Sequence, residues 1–241
     1  MKFHFTNPRR LPLALTQGFG ENIEYYKKIG LKNGHNGWDL IANDGDDILA
    51  SHDGVVTFAG EDGSGGLGVV IRTAKEFEDI NGRPSYWKSV YWHLQTGSIC
   101  VHASQEVKKG QKIGQADNTG FSTGTHLHFG IKPVKQGEQE WQWDNVDQDN
   151  GFNGAVDPAP YYVHRFDKDM AFGDRSDEVK KLQNRMTQEG FFIGEATGFY
   201  GTKTREAVYG YQISKGISPM MIHWYKGKYC GPSTRKILNE M

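Results

Sequence analysis

The chain has few cysteines, no excess of either charge and no long apolar run, and each absence argues against a class of protein. Among 241 residues only Cys100 and Cys230 occur, and neither lies in a Cys-x-x-Cys pair. We therefore expect two buried free thiols and no disulfide framework or zinc–thiolate site. The formal net charge of −1 argues against a nucleic-acid-binding protein. No segment approaches the ~18 apolar residues of a membrane span.

An export signal is also missing from the sequence. Arg9-Arg10 precede the short apolar run Leu11-Pro12-Leu13-Ala14-Leu15. The run contains proline and is followed by polar residues without a small-residue cleavage site, unlike a signal peptide. We expect an opening β-strand here.

Glycine, by contrast, is abundant, with 31 residues, which is about twice the usual ~7%. Up to residue 134 the glycines separate short β-branched runs, a pattern typical of an antiparallel sandwich or barrel. The predicted strands cover residues 47–50, 54–60, 68–72, 89–94, 111–115 and 127–131. Two polar segments interrupt the series, at residues 74–88 and 138–154. The first is expected to be a loop or hairpin extension and the second a solvated acidic loop, unless its Trp141 and Trp143 contact substrate.

Beyond Asp157-Pro158-Ala159-Pro160 the periodicity becomes helical. The segment starting at Gly201 repeats thirty residues later at Gly231, each copy being a glycine turn, a Ser/Thr residue and a helix start. We therefore predict an α+β multidomain protein, with an antiparallel β-sandwich or barrel domain at residues 1–164. A small three-helix domain follows at residues 165–241. Its 13 Lys/Arg against 9 Asp/Glu weakly favour an anionic surface as its partner.

Four histidines and one aspartate in the first domain form a candidate site. They are His35 and Asp39 in a His-x-x-x-Asp segment, His93 at a strand end, and the His-x-His pair His126 and His128. Two imidazoles and a carboxylate would bind one zinc ion and leave a position open for water. The remaining two imidazoles could handle protons. Residues two apart on a strand share a face, so the sequence does not decide which of His126 and His128 binds metal.

The surrounding motifs resemble the M23 family of zinc endopeptidases, the lysostaphin-like enzymes that cut peptide crosslinks of peptidoglycan. The resemblance covers about residues 14–134. It rests on five segments in order: Leu15-Thr16-Gln17-Gly18-Phe19-Gly20, Gly34-His35-Asn36-Gly37-Trp38-Asp39, Ala50-Ser51-His52-Asp53-Gly54-Val55-Val56, Lys109-Gly110-Gln111-Lys112-Ile113-Gly114 and Thr119–Phe129. It implies that His35, Asp39 and His128 hold zinc and that His93 and His126 are the catalytic pair. His52 lies outside this set and is expected at the surface, and the segments 74–88 and 138–154 are expected to border the cleft.

The C-terminal segment resembles the three-helix peptidoglycan-binding domain of wall hydrolases. The matching parts are Phe172-Gly173-Asp174-Arg175-Ser176, Val179-Lys180-Lys181-Leu182-Gln183 and residues 198–212. A packing domain without a ligand is the alternative.

Together the resemblances imply a zinc metalloendopeptidase that hydrolyses peptidoglycan crosslinks and is targeted by its own wall-binding domain. We expect a monomer that acts in the cell wall or periplasm and is released by a phage pore, carried by a virion, or exported by a leader this chain lacks. One alternative is a catalytically silent wall-binding or regulatory protein of the same fold. Another is a zinc carboxypeptidase or amidase, for which the expected catalytic Glu motif is missing.

Overall fold

The computed structural model describes residues 1–10, 13–163, 166, 168–217 and 226–240. The chain divides into two compact units, Met1–Tyr162 and Val163–Met241. The domain boundary predicted between residues 164 and 165 falls on two residues outside the described ones, as do residues 11 and 12 of the predicted opening strand.

The first unit is built almost entirely from antiparallel strands. They are β1 (Leu15–Gln17), β2 (Trp38–Ile41), β3 (Asp47–Leu49), β4 (Gly54–Asp62), β5 (Gly66–Arg72), β6 (Phe77–Glu78), β7 (Pro84–Trp92), β8 (Glu106–Val107), β9 (Lys112–Gln115), β10 (His126–Gln136) and β11 (Trp143–Asn145). A short helix, α1 (Ile23–Lys27), lies between β1 and β2. The sequence analysis had no helix there, because five residues are too few to show helical periodicity.

One large sheet carries the unit in the order β1-β2-β10-β7-β5-β4-β8, with β11 beside β10 and β6 beside β7. β3 and β9 form a separate pair. Side chains alternate between the two faces of a strand, and one face of the large sheet forms the core, where Ile71, Tyr91 and Phe129 are fully buried. The opposite face of β10 carries His126 and His128. The predicted antiparallel β domain is thus confirmed.

The N-terminal segment covers the core face and corrects one prediction. The Phe3 ring stacks on Trp87 with centroids 4.5 Å apart and meets the ring of His52 edge-on at 5.4 Å. His52 is consequently buried, not at the surface, and its Nε2 bonds to Ser89 Oγ at 2.8 Å. The strand pattern did not reveal these contacts, because Ser89 lies 37 residues from His52 and Phe3 lies 49 residues from it.

The two polar segments have different surroundings. Residues 77–78 and 84–85 form a hairpin extension that lines a cavity of about 590 Å³. No described residue of 74–88 lines the cleft that holds the histidines, so that part of the prediction was wrong. In the acidic segment, Trp143 packs on Tyr86 at 4.8 Å and Trp141 is exposed. Only Asn153 of that segment reaches the histidine cleft.

The second unit contains α2 (Asp177–Gln188), α3 (Thr202–Ser214) and α4 (Pro232–Glu240), with a small β12–β13 pair (Met170–Ala171 and Tyr229–Cys230). Ser176 caps α2, since its side chain accepts a hydrogen bond from the Val179 amide. The predicted helical domain is confirmed.

Buried glutamines extend the internal repeat seen in the sequence. Gln183 in α2 donates to Thr204 Oγ1 at the start of α3, at 2.8 Å. Gln212 in α3 donates in the same way to Thr234 Oγ1 at the start of α4, at 2.9 Å. Each glutamine therefore ties one helix to the first turn of the next, which satisfies buried polar groups.

Both cysteines are free, but only Cys230 is buried. Cys100 is exposed, contrary to the expectation of two buried thiols. Among the helices of the described residues, none combines the length and apolar character needed to cross a membrane.

Candidate metal centre

The pairing of β2 with β10 brings His35, Asp39 and His128 together. β2 pairs with β10 so that Asp39 lies directly opposite His128. His35 stands in the turn before β2 and is 1% exposed. The side chains of the three residues come together in one cleft.

The three candidate ligand atoms form a nearly equilateral triangle. His35 Nε2 lies 2.9 Å from His128 Nδ1 and 3.1 Å from Asp39 Oδ1, and His128 Nδ1 lies 3.0 Å from Asp39 Oδ1. Zinc bonds of about 2.0–2.1 Å in a tetrahedral arrangement would separate ligand atoms by roughly 3.3 Å. The triangle is close to one face of such a tetrahedron. Two nitrogens and one carboxylate oxygen are also the donor types of catalytic zinc sites.

The hydrogen bonds around His35 suit it to metal binding. Its Nδ1 lies 3.0 Å from the carbonyl oxygen of Gly18. A carbonyl can only accept, so Nδ1 carries the proton and Nε2 presents its lone pair to the cluster.

The backbone at Gly37 leaves room for this arrangement. A Cβ added there would lie 2.6 Å from the Phe129 carbonyl oxygen and 2.9 Å from Cε1 of His128. Any side chain at this position would therefore push against the ring of a candidate ligand.

The electrostatics of the cluster favour a charged Asp39 and a neutral His128. Burial alone would raise the pKa of Asp39, but its hydrogen bonds and electrostatic interactions with His128 and His35 outweigh this effect and hold the pKa well below its usual range. Burial lowers the pKa of His128, more than the contact with Asp39 raises it. Metal ions bind carboxylate and neutral imidazole, so the pKa shifts of Asp39 and His128 both favour the protonation state that a metal requires.

His93 is held in an unusual backbone conformation at the end of β7. Its φ is +64°, a region that costs a non-glycine residue roughly 1–2 kcal/mol. Its Nδ1 lies 2.8 Å from the Thr119 carbonyl, which leaves Nε2 as the basic nitrogen. That carbonyl is placed by a close contact between two glycines, since a Cβ on Gly120 would lie 2.3 Å from the Gly66 nitrogen.

Burial lowers the pKa of His93 to about 4, more than the hydrogen bond to Thr119 raises it, and the neighbouring His126 and His128 lower it further. The ring is thus neutral near pH 7 and can accept a proton.

His126 completes the cluster beside the triangle. Its ring lies 4.6 Å from that of His93, centroid to centroid. Its Nδ1 is 2.8 Å from the Gly124 carbonyl and its Nε2 is 3.5 Å from Asp39 Oδ1. The structure therefore brings all five residues singled out in the sequence into one cleft of about 700 Å³. His35, Asp39 and His128 form the tight triangle, and His93 and His126 lie next to it.

Two further cleft residues were missed by the sequence analysis. Tyr26 comes from α1, with its ring 5.2 Å from that of His35. Burial, followed by the charge of Asp39, raises the pKa of Tyr26 to about 12, so it is a hydrogen-bond donor at neutral pH. Lys132 lies four residues after His128 on β10 and also lines the cleft. Its alternation with the His-x-His pair could have revealed it, because residues 126, 128 and 132 share one face of the strand.

Two family models match the chain. Residues 33–140 match the family described as "Peptidase family M23", and residues 175–219 match "Putative peptidoglycan binding domain".

The chain is also similar to several curated proteins and solved structures. The DD-carboxypeptidase/endopeptidase Mpg of Neisseria meningitidis is 39% identical over 95 residues, covering 39% of this chain and 19% of that protein. The murein hydrolase activator NlpD of Escherichia coli is 36% identical over 101 residues, covering 42% of this chain and 24% of that protein. The lysostaphin catalytic domain of Staphylococcus simulans aligns at a TM-score of 0.43 with 24% identity, covering 62% of this chain and 91% of that domain.

The chain spans about a fifth of the length of the curated relatives it matches first. Residues 33–140 belong to peptidase family M23, and a domain of the peptidoglycan-binding family follows at residues 175–219.

Proposed function

We propose that this protein is a zinc metalloendopeptidase that hydrolyses peptide crosslinks of bacterial peptidoglycan and is directed to the wall by its C-terminal unit. The observation that carries the proposal is the His35–Asp39–His128 triangle with two further imidazoles beside it. Its site of action would be the cell wall or periplasm, as a wall lysin of cellular or phage origin.

In this proposal His35, Asp39 and His128 hold the zinc. When bound, zinc would polarise the scissile carbonyl and make water acidic enough to attack near neutral pH. The neutral ring of His93 has a free Nε2 that can take the proton of the attacking water and return it to the leaving amine. His126 faces the Gly124 carbonyl with its Nδ1, so its Nε2 can donate a hydrogen bond to the developing oxyanion once both ring nitrogens are protonated.

Metal analysis tests the ligand assignment. His128→Ala should contain about one zinc equivalent per chain less than the unchanged protein, because two ligands hold zinc poorly. His102→Ala is the matched control, since His102 is exposed and bonds to the Ala103 carbonyl. Equal zinc in His128→Ala and the control would contradict the assignment.

Kinetics separate catalysis from metal retention. His126→Ala and His93→Ala should keep their zinc but lose roughly 10²–10⁴-fold in wall digestion, the usual cost of removing a general base or an oxyanion donor. An active, zinc-loaded variant would refute the role of that residue. Mass spectrometry of the fragments released from purified peptidoglycan would identify the bond cut and thereby distinguish an endopeptidase from a carboxypeptidase or an amidase.

A regulatory protein without activity is the second candidate, favoured by the 36% identity to the activator NlpD. The full set of five residues argues against it, because a protein that only binds the wall does not need two further imidazoles beside three candidate metal ligands. Digestion of sacculi by the purified chain decides between the two.

The C-terminal unit is tested by dividing the chain. A fragment 163–241 should sediment with purified sacculi, and the fragment 1–162 should still cut soluble muropeptides but lose activity on intact wall, because tethering raises the local substrate concentration. If fragment 163–241 stays in the supernatant and its removal leaves sacculus digestion unchanged, the unit has no targeting role.

A further inference from the structure

Three cations lie side by side across three strands of the large sheet. Lys132 in β10 is directly opposite Lys88 in β7, which is directly opposite Arg72 in β5. Like charges in directly opposite positions destabilise a sheet. The row lies on the same face as His126 and His128, since alternate residues of β10 share that face.

Two of the three cations are engaged by the acidic segment. Lys88 Nζ donates to the Trp143 carbonyl at 3.2 Å. The Arg72 guanidinium lies 3.8 Å from the centre of the Trp143 ring. Neither lines the histidine cleft, and Lys132 alone of the row does so.

Lys132 has hydrogen-bonding capacity left within the cleft. Its Nζ donates to the Asn153 carbonyl at 2.8 Å, and an ammonium has three donors. That carbonyl carries no charge. Among the ion pairs formed by the described residues, none includes Lys132.

The surroundings of Lys132 favour an anionic ligand. Burial, and then the charge of Lys88, lowers the pKa of Lys132 to about 8, while Asp62 raises it. The group remains mostly protonated at pH 7, so a positive charge is held partly out of water without a paired carboxylate. A bound anion would compensate for that desolvation.

Building on the proposed peptidase function, we propose that Lys132 is a specificity-determining residue that binds a free carboxylate of the peptide substrate. By strand rise, its Cα lies about 13 Å from that of His128, a distance that about four residues of extended peptide span. The carboxylate recognised would therefore lie within roughly four residues of the scissile bond. Peptidoglycan peptides carry such α- and side-chain carboxylates.

The test combines two substrates with three variants of the full chain. Soluble crosslinked muropeptides with free carboxylates are compared with the same muropeptides after chemical amidation. The variants are Lys132→Met, Lys132→Arg and the control Lys135→Met, an exposed lysine on the same strand that lines the other cavity. Both kcat/KM and calorimetric binding are measured, and zinc content is checked in each variant.

For the unchanged protein, kcat/KM and affinity should both be about 10–100-fold lower with the amidated muropeptides than with the free-carboxylate ones, as expected for the loss of a hydrogen bond between charged groups. Lys132→Met should have a similarly reduced kcat/KM and affinity for the free-carboxylate substrate. Its values for the amidated and the free-carboxylate substrates should be equal. Lys132→Arg should retain much of the discrimination, and Lys135→Met should behave as the unchanged protein.

The outcomes separate this inference from the proposed function. If Lys132→Met keeps full discrimination between the substrates, or if the unchanged protein does not discriminate in either measurement, the carboxylate subsite is refuted. If binding depends on Lys132 and on the carboxylate but no bond is cut, the subsite stands and the peptidase function fails.

Discussion

The buried histidine His52 gives the unfolding free energy a specific pH dependence. Burial lowers the pKa of His52 to about 4, although the Asp53 carbonyl and carboxylate raise it. The usual histidine pKa of about 6.5 applies in the unfolded chain. Below pH 6.5 the unfolded state therefore binds a proton that the folded state does not.

The sign follows from proton linkage. The contribution of His52 is fully present above pH 6.5 and is lost as the pH falls toward 4. The difference of about 2.5 pKa units corresponds to about 3 kcal/mol in total. Between pH 7 and pH 5 the loss amounts to about 2 kcal/mol, because the unfolded state is by then mostly protonated at this site and the folded state is not.

Urea unfolding followed by tryptophan fluorescence measures this effect in the first unit, since five of the six tryptophans precede residue 144. The unfolding free energy of both proteins is compared between pH 7 and pH 5. Because His52→Gln removes the titrating group, the decrease for this variant should be about 2 kcal/mol smaller than the decrease for the unchanged protein. All other groups are shared and cancel in this comparison. His102→Gln, at an exposed histidine, should follow the unchanged protein. Equal slopes for His52→Gln and the unchanged protein would refute the buried, neutral state of His52.

Three further predictions concern backbone space and buried polar groups. At His93, with φ +64°, the glycine variant should be more stable than the alanine variant by roughly 0.5–1 kcal/mol, the reverse of the usual order; the exposed Ser104, with φ +69°, should show the same reversal without loss of activity. Gly37→Ala should weaken zinc retention, measured by chelator competition, because its Cβ would lie 2.9 Å from Cε1 of His128; unchanged retention would contradict the steric argument. Gln183→Leu should lower the unfolding free energy of the second unit by about 1–3 kcal/mol, because Thr204 and the buried amide of Gly198 lose their hydrogen-bond partner. Urea unfolding followed by the circular dichroism of the helices measures this loss, and an unchanged unfolding midpoint would contradict the prediction.

The strands and helices could be predicted largely from the sequence because their signals are local. β-branched runs between glycines marked β4 and β5, and helical spacing of apolar residues marked α2 and α3. What failed depended on distant parts of the chain. The burial of His52 requires Phe3 and Ser89, and neither contact leaves a trace in the residues around position 52.

The same contrast appears in the two polar segments. The hairpin extension predicted at residues 74–88 is present as β6 beside β7, whereas residues 143–145 of the predicted acidic loop form β11 beside β10. The position of each segment on the sheet depends on the pairing of β6 with β7 and of β11 with β10. Composition does not encode these tertiary contacts. The segment 74–88 therefore lines a separate cavity, and the cleft gains only Asn153 from the acidic segment.

The distinction between His126 and His128 shows what strand register adds to a motif. Alternation places both rings on the cleft face, so the His-x-His spacing treats them alike. Register separates them: His128 lies opposite Asp39, whereas His126 lies opposite Ile41, which has no atom to offer a metal. His35 stands just before β2, with its Nδ1 3.0 Å from the Gly18 carbonyl, and the histidine that forms the tight triangle with it and Asp39 is the one opposite Asp39. The geometry of the candidate metal centre is therefore set by the pairing of β2 with β10, and the remaining histidine, His126, lies beside His93 with ring centroids 4.6 Å apart.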